Sequence, residues 1–174
     1  MPKNLEIKVK LDSLNQVRKK LKKNGIGLSE VLYQKDIYFS VNKGLLKLRI
    51  ENENQTLIYY NRNEKSEKRW SDYFLLDIKN TEGDKYFRRF LDIIVSVEKR
   101  RELFLYNDTR IHLDKVKNLG CFLELETRVL NGLKDAEKRF NHLLDLLELK
   151  NQEEIRASYK DLLLNYKNND FIKN

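Results

Sequence analysis

The chain has 174 residues, 36% of them charged and 40% hydrophobic, with a formal net charge of +8. That length holds a core without cross-links, the composition is that of a folded chain, and the charge favours anionic partners such as nucleotides, polyphosphates, nucleic acid or a membrane surface. A single cysteine, Cys121, excludes an internal disulfide and a cysteine-built zinc site. No apolar run approaches the roughly 20 residues that cross a bilayer, and the opening MPKNLEIKVK lacks the apolar stretch of a secretory signal. One proline and six glycines leave no linker, so a single cytoplasmic domain over residues 1–174 is expected.

Residues 5–11, LEIKVKL, alternate charge and aliphatic and predict a strand. Asp12 is a candidate N-cap for a short amphipathic helix carrying Leu14, Val17 and Leu21, with Gly25 as its stop. EVLYQKDIYFSV (30–41), the turn NKG and LLKLRI (45–50) predict a hairpin, followed by strands TLIYYNR (56–62) and WSDYFLLDI (70–78). Residues 82–94 place Tyr86, Phe87, Phe90, Leu91 and Ile94 at helical spacing. Three further strands are expected over 94–106, 109–116 and 121–130, then helices over 133–149 and 153–166. Short connections make sequential strands antiparallel, which favours an α+β fold dominated by an antiparallel sheet or barrel.

The parity of the first strand recurs. Lys47, Arg49 and Glu51 share one face of their strand, Arg110, His112 and Asp114 another, and Glu124, Glu126 and Arg128 a third; Lys99 goes with Arg101, and Tyr60 with Arg62. A solvated outer face explains any one of these strands. Two features of the set point inward instead. Acids gather on the first and last strands, which become neighbours if the sheet closes, and bases are spread over the middle strands as a polyanion lining would be.

NLEIKVKL, DIYF, GLLKLR, LIYYNR, RIHLDKVKNLGCFLELE and ASYKDLL, in this order over residues 4–164, resemble the CYTH family of triphosphate tunnel enzymes, in its bacterial branch similar to class IV adenylate cyclases. The resemblance implies an eight-stranded antiparallel β-barrel with flanking helices, binding a triphosphate in a basic tunnel with Mg2+ or Mn2+. It implies metal ligands at Glu6, Asp114, Glu124 and Glu126 and phosphate-binding bases at Lys8, Lys10, Lys47, Arg49, Arg62, Lys99, Arg101 and Arg110. Tyr38 and Lys10 are the candidates to assist proton transfer. Two departures stand out: the family's E-x-E-x-K reads Glu6, Lys8, Lys10 here, and a lysine of its fourth strand falls at Tyr60.

The leading expectation is therefore conversion of ATP to cyclic AMP and pyrophosphate. Hydrolysis of thiamine triphosphate, tripolyphosphate or a nucleoside triphosphate is the second, and a non-catalytic nucleotide- or polyphosphate-binding tunnel the third. RNA binding, with Tyr33, Tyr38 and Phe39 stacking on bases, ranks last. His112 is expected to be a structural hydrogen-bonding residue and His142 a surface one. No membrane partner is expected, and the chain is expected to be a monomer or homodimer.

Overall fold

A computed structural model describes residues 3–52, 54–62, 70–79 and 82–172, with the side chains of Lys3, Asn61, Arg62, Trp70, Ser71, Asp72 and residues 167–172 not described. Eight strands form it: β1 (Lys3–Leu11), β2 (Leu28–Phe39), β3 (Leu45–Glu51), β4 (Asn54–Arg62), β5 (Trp70–Ile78), β6 (Ile93–Tyr106), β7 (Thr109–Val116) and β8 (Gly120–Arg128). Helices α1 (Asn15–Lys23), α2 (Gly83–Phe87), α3 (Leu133–Leu146) and α4 (Tyr159–Ile172) accompany them. The strands close into an antiparallel barrel in the order β1-β5-β4-β3-β2-β6-β7-β8: the meander β2–β5 and the meander β6–β8 meet along β2–β6, and β1 closes the ring between β8 and β5. The β1–β5 seam spans three residue pairs, whereas β1 and β8 pair over eight, from Asn4↔Arg128 to Leu11↔Cys121.

Alternation along the strands sends aliphatic residues outward, where helices cover part of the barrel. Leu5 and Val9 of β1, Ile111 and Leu113 of β7, and Leu123 and Leu125 of β8 pack with Val17 and Leu21 of α1 and Phe140 and Leu143 of α3. Each such side chain, fully buried, contributes roughly 1.5–3 kcal/mol. A second outer cluster joins Ile37, Phe39 and Leu48 to Phe87 and Leu91. The third cluster, Tyr38, Val95, Val97, Val116 and Phe122, packs with Tyr159 and Leu163 of α4. By strand parity its members lie on the inner face, so α4 fills one part of the bore while α1 and α3 stay outside.

Local chemistry explains the boundaries. No side chain caps α1 at Leu14, and Asp12 is exposed outside the helix; the nearby Ser13 hydroxyl instead accepts from the Asn15 N–H at 3.2 Å. The same helix ends as expected at Gly25, whose φ of +70° lets its N–H reach Lys22 O and the Ile26 N–H reach Leu21 O, the paired bonds of a Schellman motif. Asn107 and Asp108, at φ +44° and +56°, make the two-residue turn from β6 to β7. Gly44, at φ +68°, leaves no space for a side chain, since a Cβ there would lie 2.7 Å from the Tyr59 hydroxyl.

Two predicted helices are shorter than their periodicity suggests. The one expected over 82–94 is limited to Gly83–Phe87, because Phe87 and Leu91 alone reach the Phe39 cluster and the β-branched run from Ile93 joins β2 as β6. The one expected over 153–166 begins at Tyr159. Ahead of it the chain is tied to β1 by a Val9–Glu154 bridge and an Ile155 N–H to Lys8 O bond of 2.8 Å. Ser158 then caps α4: its hydroxyl accepts from the Asp161 N–H at 3.1 Å, and the Asp161 carboxylate accepts from the Ser158 N–H at 3.3 Å.

Candidate active site

The inner face lines a cavity of about 360 Å3. Among the described residues six bases reach it, Lys8, Lys47, Arg49, Lys99, Arg101 and Arg110, together with the acids Glu6, Glu51, Glu124 and Glu126 and with His112. The remaining lining is largely aromatic and aliphatic and includes Ile58, Tyr60, Tyr73 and Leu75 on β4 and β5. One face gathers both signs of charge because the barrel turns that face inward.

Two buried aspartates set the bases. Asp36 on β2 stands opposite Arg49 in register; it accepts from Arg49 Nε at 2.8 Å and Nη2 at 2.9 Å, and from Lys47 Nζ at 2.8 Å. Asp114 on β7 stands opposite Arg101; it accepts from Arg101 Nε at 2.7 Å and Nη2 at 2.6 Å, from Lys99 Nζ at 3.3 Å and from the Tyr159 hydroxyl at 3.0 Å. Burial alone would raise both carboxyls, but the adjoining cations prevail: Asp36 lies well below the ordinary range and Asp114 at about 2. Because Arg49 already matches Asp36, Lys47 is the surplus cation there; burial and the Arg49 charge push it down to about 7. Lys99 is lowered for the same pair of reasons, burial and Arg101.

The acidic corner lies where β7, β8 and β1 meet. Register pairs Glu126 with both Arg110 and Glu6, and Glu124 with both His112 and Lys8. Glu124 accepts from Arg101 Nη2 at 2.6 Å and faces Lys8 Nζ at 3.4 Å, while Glu126 meets Arg110 Nη2 at 2.6 Å. His112 Nδ1 lies 3.9 Å from Glu124 Oε2 and 3.7 Å from Glu126 Oε1, too far for hydrogen bonds, and this buried nitrogen has no partner. Burial, reinforced by Arg101, pushes the imidazole down to about 3, so it stands neutral with a lone pair at one nitrogen. Ligand atoms of His112, Glu124 and Glu126 all lie within 4.8 Å of one another, a donor set that fits a divalent cation.

The structure distributes the predicted residues unevenly. Glu6, Lys8, Lys47, Arg49, Lys99, Arg101, Arg110, Glu124 and Glu126 line the cavity. Asp114 does not: it is fully buried under Arg101, Lys99 and Tyr159 and orients the two cations, and His112 is the residue grouped with Glu124 and Glu126. Lys10 is exposed at the far end of β1, paired with Phe122, and is not among the lining residues. Arg62 closes β4, and its side chain is outside the described residues. Lys8 turns its ammonium to Ala157 O at 2.9 Å and over the Tyr159 ring at 4.2 Å, which fastens the segment before α4 to β1.

Tyr38 lines the cavity below Lys47, whose Nζ is 5.5 Å from its ring and 5.7 Å from that of Tyr60. Burial and the neighbouring Tyr60 raise the Tyr38 hydroxyl well above its ordinary value, so at neutral pH it is a hydrogen-bond donor and not a base. Tyr33 and Phe39 occupy the opposite parity of β2, Tyr33 exposed and Phe39 in the outer core, so the three aromatics share no stacking surface for bases. Sequence reasoning missed Asp36 and Tyr159 and assigned His112 a structural role. Asp36 was legible as the same-face neighbour of Tyr38, and Tyr159 as the first residue after the Ser158 cap.

No helix among the described residues is long and apolar enough to cross a membrane. Comparison with known proteins places this geometry among relatives. A Methanocaldococcus jannaschii protein described as a "putative adenylate cyclase" is 28% identical over 170 residues, 91% of this chain and 97% of its own. A Pyrococcus horikoshii structure superposes with a TM-score of 0.79 at 20% identity, covering 91% of this chain and 98% of the other. A Hippeastrum structure, of an adenylyl cyclase candidate described as having a dominant triphosphatase activity, matches at a TM-score of 0.70 and 12% identity over 91% and 93% of the two chains. The CYTH domain profile matches residues 2–159, nearly the whole chain, and the protein belongs to that family.

Proposed function

We propose that the cavity binds a nucleoside triphosphate and converts ATP to cyclic AMP and pyrophosphate. The observation that carries this reading is the row Lys47, Arg49, Lys99 and Arg101, held in place by Asp36 and Asp114 on four adjacent strands. Its cations are oriented before any ligand arrives, so they grip phosphate oxygens with little reorganisation. Ile58, Tyr60, Tyr73 and Leu75 at one side of the row offer an apolar wall for the nucleoside, which supports an organic triphosphate over inorganic tripolyphosphate.

In this reading the bases hold the β- and γ-phosphates while the ribose 3′-hydroxyl attacks the α-phosphorus in line. A bond forms from the 3′-oxygen to phosphorus, the α–β bridging bond breaks, pyrophosphate carries the electron pair away, and the hydroxyl proton leaves to water. Positioning and charge neutralisation supply the acceleration. Tyr38 serves as a hydrogen-bond donor to a phosphate oxygen. Glu6, Glu124 and Glu126 together with His112 would hold the divalent ion of the family, which when bound would neutralise charge on the phosphate oxygens.

A second reading, hydrolysis of the triphosphate, draws on the triphosphatase activity described for the Hippeastrum relative. Product analysis after incubation with ATP and a divalent ion separates the two. Cyclic AMP with pyrophosphate supports the first, orthophosphate with ADP the second. Neither product across a panel of triphosphates, with tripolyphosphate still bound, overturns both in favour of a non-catalytic binding tunnel.

A further inference from the structure

The metal corner differs from a simple cage of carboxylates, and the difference has chemical content. One of its donors is an imidazole nitrogen, buried, without a partner, and aimed between two carboxylates. The charge of those carboxylates is already opposed by Lys8, Arg101 and Arg110. Those cations oppose any divalent ion alike, so the donor type is what discriminates: a hard ion such as Mg2+ takes oxygen ligands, whereas an imidazole nitrogen suits transition ions. The separations from the imidazole nitrogen agree with one ion between it and either carboxylate. Two ligands at roughly 2.0–2.2 Å from a common metal are at most about 4.4 Å apart, and the nitrogen-to-oxygen separations here are 3.7 and 3.9 Å.

We propose that His112 Nδ1, Glu124 and Glu126 form a mixed nitrogen–oxygen site that selects a first-row transition ion of the Co2+ or Zn2+ class over Mg2+. The proposal rests on the metal-bearing corner of the function described above and sharpens it by naming the ion class. Softer divalent ions accept imidazole readily, and their affinity for a given nitrogen and oxygen set exceeds that of the earlier members of the series.

The test uses the whole chain, freed of metal with a chelator and titrated with Co2+, Zn2+ or Mg2+. The chain has two histidines, and His142 is exposed on α3, 6.2 Å from the Tyr106 ring, so it serves as an internal reference for imidazole nitrogen resonances. One equivalent of Co2+ should displace or broaden the His112 resonances and leave those of His142 in place, and a thousandfold excess of Mg2+ should not reverse this. His112→Asn should weaken Co2+ binding at least about tenfold and change Mg2+ binding less than about twofold, with its melting curve checked against the wild type. Unmoved His112 resonances at saturating Co2+, or equal affinity of the wild-type chain for Co2+ and Mg2+, would overturn the proposal without any variant being made. These readouts need no turnover. A chain that takes Co2+ at His112 yet makes no cyclic AMP keeps this inference and loses the cyclase reading, and cyclic AMP made by a chain indifferent to Co2+ does the reverse.

Discussion

Two clamps of the same construction stand side by side in the barrel. Lys47-Leu48-Arg49 on β3 and Lys99-Arg100-Arg101 on β6 each send a lysine and an arginine to one buried aspartate, with the arginine directly opposite it in register. Each lysine also lies near an aromatic ring, Tyr38 and Tyr60 for Lys47 and Tyr159 for Lys99. What differs is what flanks them. Beyond β3 come the Ile58, Tyr60, Tyr73 and Leu75 side chains of β4 and β5; beyond β6 come His112 of β7, Glu124 and Glu126 of β8 and Glu6 of β1. Like clamps between unlike flanks give the cavity two distinguishable ends; in the proposed reading the one towards β4–β5 faces the nucleoside and the one towards β8–β1 is the metal end.

The largest effect should come from the metal end. Glu126→Gln is expected to lower turnover roughly a hundred- to a thousandfold while leaving tripolyphosphate affinity within a few-fold, as read by product formation and calorimetry. Unchanged turnover would place the reaction elsewhere. Next, Asp36→Asn and Asp114→Asn should each destabilise the fold by about 3–5 kcal/mol in denaturant unfolding, since a buried cation loses its counter-charge. Asp114→Asn should cost more, because Tyr159 of α4 also binds that carboxylate; equal losses would break the view that α4 is anchored there.

The aspartates also fix an acid limit. A carboxyl depressed on folding contributes stability that is complete above its unfolded value, about 3.9 for aspartate, and is lost as pH falls through the folded value. The Asp36 value lies well below the ordinary one, so its share should persist at pH 4 and disappear only in stronger acid. An Asp36→Asn chain should show a correspondingly flatter stability curve below pH 4.

Smaller still are effects on binding alone. Arg49→Ala should weaken tripolyphosphate about tenfold, and the wild-type affinity should fall with added salt; salt-independent binding would count against a cationic bore. Lys47 gives the finest contrast. It loses its proton near pH 7, so its attraction for phosphate is present below that pH and declines above it. Lys47→Arg keeps its charge, and the ratio of variant to wild-type affinity should rise by a few-fold between pH 6 and 8.5.

The strand alternation was legible because a period of two survives any detail of packing, and it correctly grouped Glu6 with Lys8 and Glu124 with Glu126. Depth along the barrel was not. Lys10 and Asp114 have the parity expected of lining residues, yet one is exposed at a strand end and the other is buried behind Arg101. Which residue of an inward row meets the ligand depends on where the bore is filled, and here α4 fills it with Tyr159 and Leu163. That packing depends on an irregular stretch fastened by Lys8, for which periodicity gives no signal. Asp36 itself was legible, but its partners Lys47 and Arg49 were not, since they lie on another strand and register is set by the intervening turn.

A crystal of the chain soaked with tripolyphosphate tests the central claim most directly. The account predicts phosphate density inside the barrel, in contact with Lys47, Arg49, Lys99 and Arg101. Phosphate bound only to lysines on the outer surface, with the bore left to solvent, would contradict it.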